Sequence, residues 1–406
     1  MAVVAEGFGR GGAMRALALW GVLIASVACS APEQDANGDD PDPALTSAAR
    51  ERLKGLRYDE GPPPSDPSNR VVDDAAARAF GQRLFFDPSL SGQLLEGDND
   101  GTSATLGNRG ESGRVSCAGC HLPAAGFVDT RSPHRQVSLG AQWTLRRSPT
   151  LLDVAFAPLY NWDGRRDALW NQAMGVLETN SEFNSSRLFV AQQLFRNHRA
   201  EYESVFDPLP ALDDETRFPQ LTGATTGCVQ VTTMQGTTYK CRGMPGDGAD
   251  YDELPVADQD LVTTVTVNAA KSIAAYVRTL RCGPSRFDTW LDGDATALSR
   301  SEQRGAELFV GKARCAECHD GPRLTDDQFH NVGLSPAVVA VAIQDRDDRG
   351  AATGIPAAIA DPLRTAGKFS DGDRQQLPSV VDERLEGAFR TPSLRCRTKH
   401  PSFMHT

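Results

Sequence analysis

Beyond its first 30 residues the chain lacks an apolar run long enough to cross a bilayer as a helix, so a bundle of membrane-spanning helices is excluded. A basic excess is also missing: 53 Asp and Glu face 42 Lys and Arg, which argues against a nucleic-acid partner. Cysteine and histidine are scarce, with 9 and 7 in 406 residues. That scarcity makes any grouping of the two informative. The length suffices for two domains with cores of their own.

The two residue types are grouped twice, as Cys117-Ala118-Gly119-Cys120-His121 and Cys315-Ala316-Glu317-Cys318-His319. At this composition one chance match is expected about 0.003 times per chain. Each reads Cys-x-x-Cys-His, the attachment pattern of a c-type haem. Two thiols add across the two vinyl groups of one porphyrin, and the next histidine sits under the iron. Paired zinc ligands are usually about 15–20 residues apart, whereas 194 residues separate Cys120 from Cys315. A thioredoxin-like pair leaves both histidines unexplained. Two covalent haems are therefore expected, with Cys117, Cys120, Cys315 and Cys318 as attachment points and His121 and His319 as metal ligands.

Arg10 and Arg15 precede the apolar stretch Ala16 to Ala28, as in an export signal. Ser26-Val27-Ala28-Cys29 is similar to a bacterial lipoprotein cleavage site, with Ser26 where Leu is usual. A lipid anchor at Cys29 and an ordinary secreted form are both open. Either way the chain leaves the cytoplasm, for the periplasm of a Gram-negative bacterium. Residues 1–29 are read as leader and 30–70, rich in Asp, Pro, Ala, Ser and Gly, as a flexible tether. Cys228 and Cys241 flank a Thr/Val-rich stretch that reads as a stapled hairpin; Cys282 and Cys396 pair or stay free.

A helix precedes each motif. Ala75 to Phe86 carries Ala79, Phe80, Leu84 and Phe85 on helical spacing and stops at Asp87-Pro88. Ser299 to Val310 opens with the capping box Ser299-x-x-Glu302. Such a helix followed by Cys-x-x-Cys-His is the entry of a cytochrome c domain. Val262 to Leu280 has the strongest apolar stripe and is expected to pack across the first of these helices. Gly92–Gly113 and Leu209–Leu254 read as surface insertions, and Ala337–Glu386 as mostly loop. The expected fold is mainly α: two cytochrome c-like haem domains with long loops, at 71–290 and 291–406.

Further blocks carry a family resemblance. They are Leu84-Phe85-Phe86-Asp87-Pro88-x-Leu90-Ser91-Gly92, Arg147-Ser148-Pro149-Thr150-Leu151-Leu152, Trp162-Asp163-Gly164-Arg165, Phe329-His330-Asn331-Val332-Gly333 and Phe389-Arg390-Thr391-Pro392-Ser393-Leu394-Arg395. In this order, from about Ala75 onward, the chain resembles the bacterial di-haem cytochrome c peroxidases, including the MauG branch. The resemblance implies a peroxidatic N-terminal haem and an electron-accepting C-terminal one. It implies hydrogen peroxide as substrate and a small cytochrome c or copper protein as donor; a homodimer is left open. Trp162 matches the tryptophan between the two haems, Glu182 the distal glutamate that moves a proton, and Gln172 a distal glutamine.

Three departures qualify it. Ala141 stands where many members have a histidine that caps the first haem, so that haem is expected to be open at rest; His134 is a rival ligand from the same loop. Arg147 replaces an Asn that often serves a calcium ion, so no calcium is expected. The family continues past the segment matching Phe403-Met404-His405 and its second haem takes its sixth ligand there, so the second domain is expected to be truncated at its C-terminus. Met404 is the nearest methionine, and its match is not that ligand. The competing readings are a MauG-like oxidase that modifies Trp or Tyr of a partner protein, and a passive electron carrier or non-functional remnant.

Overall fold

Helix-forming stretches dominate, and four of them build the main core around one crossing. In the computed structural model of the chain, which describes residues 46–131, 137–233, 236–333, 348–379 and 382–397, the helices are α1 (Ser47–Gly55), α2 (Ala75–Phe86), α3 (Cys117–Cys120), α4 (Leu169–Glu178), α5 (Arg187–Asn197), α6 (Arg199–Glu203), α7 (Val256–Val277), α8 (Arg286–Leu291), α9 (Arg300–Val310) and α10 (Ala351–Ala360). The strands form two antiparallel pairs: β1 (Gly227–Thr233) with β2 (Gly236–Arg242), and β3 (Phe329–His330) with β4 (Phe389–Arg390).

The Asp74 side chain caps α2 by accepting from the Ala77 N–H, and the helix ends at Asp87, ahead of Pro88, as its spacing predicts. Its buried stripe of Ala77, Phe80, Gly81, Leu84 and Phe85 lies on α7. The backbones approach so closely that a Cβ on Gly81 would lie 1.8 Å from the Ser272 carbonyl oxygen. The stripe expected over Val262 to Leu280 is thus a longer helix, started by Pro255 and ended at Val277, and it packs across α2 as expected. Helices α4 and α5 complete the core. In α9 the Ser299 hydroxyl accepts from Glu302 N–H, and the Glu302 carboxylate accepts from Ser299 N–H at 2.8 Å.

A smaller core joins Leu53 and Leu56 to Val310 and Ala316 beside the second motif. It corrects the expected tether, because 46–70 are folded. Two leucines and the buried Tyr58 anchor this polar stretch, Arg57 pairs with Asp292, and Tyr58 N–H donates to Asp288 at 2.8 Å. Residues 30–45 lie outside the described residues, as do Cys29, His134 and Met404. The Leu209–Leu254 stretch is also more than a surface insertion, since Leu212, Phe218 and Leu221 are buried in the main core.

The hairpin β1–β2 pairs Cys228 with Cys241 in register and a disulfide joins them. A second disulfide links Cys282 to Cys396, settling the pairing left open by the sequence. Within the stretch expected as loop, 351–360 is helical. Gly354 and Pro356 disguise α10 as a break, yet Gly354 is required there: a Cβ would meet the Asp163 carbonyl oxygen at 2.1 Å. With Leu159 and Phe329, α10 forms a third apolar cluster. Among the described residues no helix is long and apolar enough to cross a membrane.

Candidate functional site

The first motif is held by its neighbours before it meets any ligand. The buried Ser91 hydroxyl accepts the N–H groups of Arg114 and Val115 at 2.9 and 3.0 Å, fixing the approach to Cys117. One helical turn follows, and His121 N–H closes it on the Cys117 carbonyl at 2.8 Å. His121 Nδ1 lies 3.0 Å from the Phe127 carbonyl oxygen. A carbonyl only accepts, so Nδ1 carries the proton and Nε2 keeps its lone pair for a metal. The second motif repeats the arrangement: His319 N–H reaches the Cys315 carbonyl at 3.0 Å, and His319 Nδ1 lies 3.0 Å from the Leu324 carbonyl. Both acceptor residues are left-handed, with φ of 60° at Phe127 and 53° at Leu324. Strained backbone thus aims each carbonyl at its imidazole. Sequence reading missed both, and only their place shortly after each motif hints at them.

Cys117, Cys120 and His121 line a cavity of about 540 Å³, a size usual for cofactor pockets (roughly 300–1,000 Å³). Apolar walls come from Phe85, Val115, Leu151, Leu169, Val176 and Ile273. Trp162, Gln172 and Glu182 line the same space, so the structure brings together every N-terminal residue expected at the site. Burial pushes both thiols up to about 12 and lowers the pKa of His121. That is the reverse of a reactive dithiol, which needs a depressed pKa. These cysteines are not disulfide-bonded. Two neutral thiols, one aimed imidazole and a large apolar space fit a porphyrin bound through its vinyl groups.

Glu182 follows α4. Its carbonyl accepts the Ala141 N–H at 2.9 Å, and Gln142 N–H bonds the Ser181 carbonyl at 3.1 Å, so the 140–142 loop is stitched to it. Ala141 is fully buried in that loop. Burial raises the pKa of the Glu182 carboxyl, and Arg165 and Arg166 offset only part of that. Gln172 lies on α4, in the cavity wall.

Trp162 is buried and donates Nε1–H to the Arg147 carbonyl at 2.8 Å. Arg146, beside it, bridges Asp163 and Asp348 at 2.6 Å each, and Arg146 and Arg165 hold Asp163 below the usual carboxylate range although burial works the other way. This clamp, which ties the Trp162 loop to the start of α10, was missed from sequence. The Arg146-Arg147 pair was visible there, but its carboxylates lie far along the chain.

Cys315, Cys318 and His319 do not line this cavity. They connect to it through backbone. Trp162 O accepts Arg390 N–H at 2.8 Å, the Thr391 carbonyl accepts the Thr325 hydroxyl at 2.7 Å, and Asp326 N–H bonds Cys318 O at 2.8 Å. His330 and Asp326, paired at 2.7 Å, gather beside Cys318.

A helical fold carrying two Cys-x-x-Cys-His turns, one facing a cavity of about 540 Å³, is the pattern of haem proteins of c type. The comparisons agree. The family model for di-haem cytochrome c peroxidase matches residues 75–239. Methylamine utilization protein MauG of Methylorubrum extorquens is 28% identical over 371 residues, covering 88% of this chain and 82% of that protein. Cytochrome-c peroxidase IdrP1 of Denitromonas iodatirespirans is 26% identical over 356 residues, covering 85% and 72%. Among solved structures, the diheme peroxidase BthA of Burkholderia thailandensis shares the fold with a TM-score of 0.52 and 21% identity, over 86% of this chain and 73% of that one. The chain is thus similar to the di-haem cytochrome c peroxidase and MauG family, whose members are oxidoreductases.

Proposed function

We propose that this chain is an exported di-haem cytochrome c peroxidase. It converts hydrogen peroxide, two protons and two electrons into two waters, and a small periplasmic cytochrome c or copper protein supplies the electrons. The observation that carries the reading is the single cavity shared by Cys117, Cys120, His121, Trp162, Gln172 and Glu182. Haem c at each motif, when bound, supplies the iron chemistry of peroxide cleavage and a store of electrons.

The chain's own groups do the rest. The Phe127 carbonyl fixes the His121 tautomer and makes the ring a stronger ligand. Glu182 is kept toward its neutral acid by burial, so it holds a proton in the cavity and passes it between the two peroxide oxygens. Gln172 offers an amide to the same cavity, able to orient a small polar substrate. Trp162 places an oxidisable indole in a dry contact, one hydrogen bond from β4 and the second motif's surroundings. The leader carries the protein out of the cytoplasm, with Cys29 as the lipid site if it is anchored; no calcium takes part.

The test is a mixture of the purified holoprotein, reduced cytochrome c and hydrogen peroxide. Two cytochromes oxidised per peroxide are expected. Two haems loaded and no peroxide consumed would defeat the reading. One observation favours a MauG-like oxidase as second reading: among the described residues His121 is the one imidazole lining the cavity. Peroxide-driven modification of Trp or Tyr on a partner protein, without turnover of reduced cytochrome, would select it.

A further inference from the structure

One wall of the cavity holds a positive charge that the protein answers only in part. Arg147 is 6% exposed and lines the cavity. Its Nη1 donates to the Asp129 backbone carbonyl at 3.3 Å, and its Nε has no hydrogen-bond partner. Asp129 is the carboxylate that acts on it, but Asp129 is already engaged. Its oxygens accept the Arg131 backbone N–H and the Arg131 Nη2, each at 2.9 Å. Two guanidiniums, one buried and one 12% exposed, therefore share one carboxylate. The neighbouring Arg146 is different, since it lies between Asp163 and Asp348. Close by in the chain, Asn161 lines the same cavity with a left-handed backbone (φ 65°), and its Oδ1 is buried without a partner. A buried cation without an anion carries a penalty of several kcal/mol. A site that keeps one is built for an anionic ligand.

We propose that Arg147 is a positioning residue for a carboxylate of the cofactor, a haem propionate, and that it helps to set the reduction potential of the haem at Cys117–His121. The proposal rests on the haem reading of the cavity. Haem c brings two propionates with it, and an ionised carboxylate in an apolar wall needs a counter-charge and donors. Arg147 supplies both, and Asn161 adds an amide that can turn either its oxygen or its NH2 toward the ligand. A cation beside the porphyrin favours the electron-rich, reduced state. Removing it, and leaving the propionate unneutralised, favours the oxidised one.

The experiment uses the holoprotein, with haem counted by pyridine haemochrome and both midpoint potentials read by spectroelectrochemical titration. In Arg147→Gln two haems per chain and a negative shift of one midpoint potential are expected; Arg147→Lys, which keeps the charge, should recover most of the shift. If Gln prevents loading, the Lys variant carries the test: loading with a near-native potential supports the assignment, and behaviour like Gln overturns it. Two haems with both potentials unmoved in Arg147→Gln also overturns it. The same anion chemistry could come from solution, so sodium acetate is titrated into the wild type. A Soret shift on acetate addition that disappears in Arg147→Gln would mean a free carboxylate occupies the place, against the proposal. Wild-type protein with no haem at the first motif would sink the haem reading as well; an unmoved potential in a fully loaded variant sinks this assignment alone.

Discussion

Replacing Arg395 by Met should destabilise the protein by about 3–5 kcal/mol, the usual cost of removing one partner from a buried ion pair. Arg395 holds Asp288 through Nη1 at 2.6 Å and Nη2 at 3.0 Å, and both side chains are buried. It also donates to the Leu56 carbonyl at 2.6 Å and the Pro322 carbonyl at 2.9 Å. One guanidinium thereby ties the N-terminal segment, α8 and the region after the second motif together. Although burial works the other way, Arg395, Tyr58 N–H and Ser285 hold Asp288 at about 2 against an ordinary 3.8. That difference is worth about 2 kcal/mol. Because the folded-state pKa is depressed, this part is present above pH 3.8 and is lost as pH falls through about 2. Urea denaturation at pH 7 and at pH 2.5 reads it. The gap between wild type and Arg395→Met should be largest at pH 7 and shrink by up to about 2 kcal/mol at the acid end. A variant within about 1 kcal/mol of wild type at pH 7, or a gap that ignores pH, refutes the reasoning.

Three further outcomes follow from the geometry. Glu182→Gln keeps shape but not the proton, so peroxide turnover should fall by about 10²–10⁴ while haem content holds; its stability at neutral pH should not drop, because burial raises this carboxyl's pKa and so disfavours the charge that Gln removes. Wild-type turnover should likewise decline on the alkaline side as Glu182 ionises, and an unchanged rate in the variant would remove Glu182 from the proton path. Gly81→Ala should cost about 3 kcal/mol by urea melt, since its Cβ would meet backbone of α7 rather than a yielding side chain; a neutral effect would mean that the α2–α7 crossing gives way easily.

The parts legible in the sequence are those whose signal is local. Helix α2 shows in its spacing and in Asp87-Pro88, α9 in its capping box, the hairpin in its two cysteines, and each haem motif in five consecutive residues. What stayed hidden depends on partners far along the chain. Helix α1 looked like tether because its apolar content is small and is matched by residues far along the chain, such as Val310 and Ala316. Helix α10 looked like loop because Gly354, a breaker by local rules, is needed where the Asp163 carbonyl presses on it. The same holds within the site. Glu182 and Gln172 were named from a resemblance and line the same cavity as Cys117, whereas the Arg146 clamp and the Phe127 and Leu324 carbonyls have no local pattern to read.

The Cys282–Cys396 bond spans 114 residues, and it closes beside residues that serve the first motif as well as the second. Arg390, six positions before Cys396, gives its N–H to Trp162, and Arg395 locks α8 to the chain's early segment. The surroundings of the first motif are thus complete only once residues 390–396 have joined them. Under the proposed function, thiol oxidation and haem attachment have to be timed against one another, with Cys117, Cys120, Cys315 and Cys318 spared from the oxidation that joins the other two pairs.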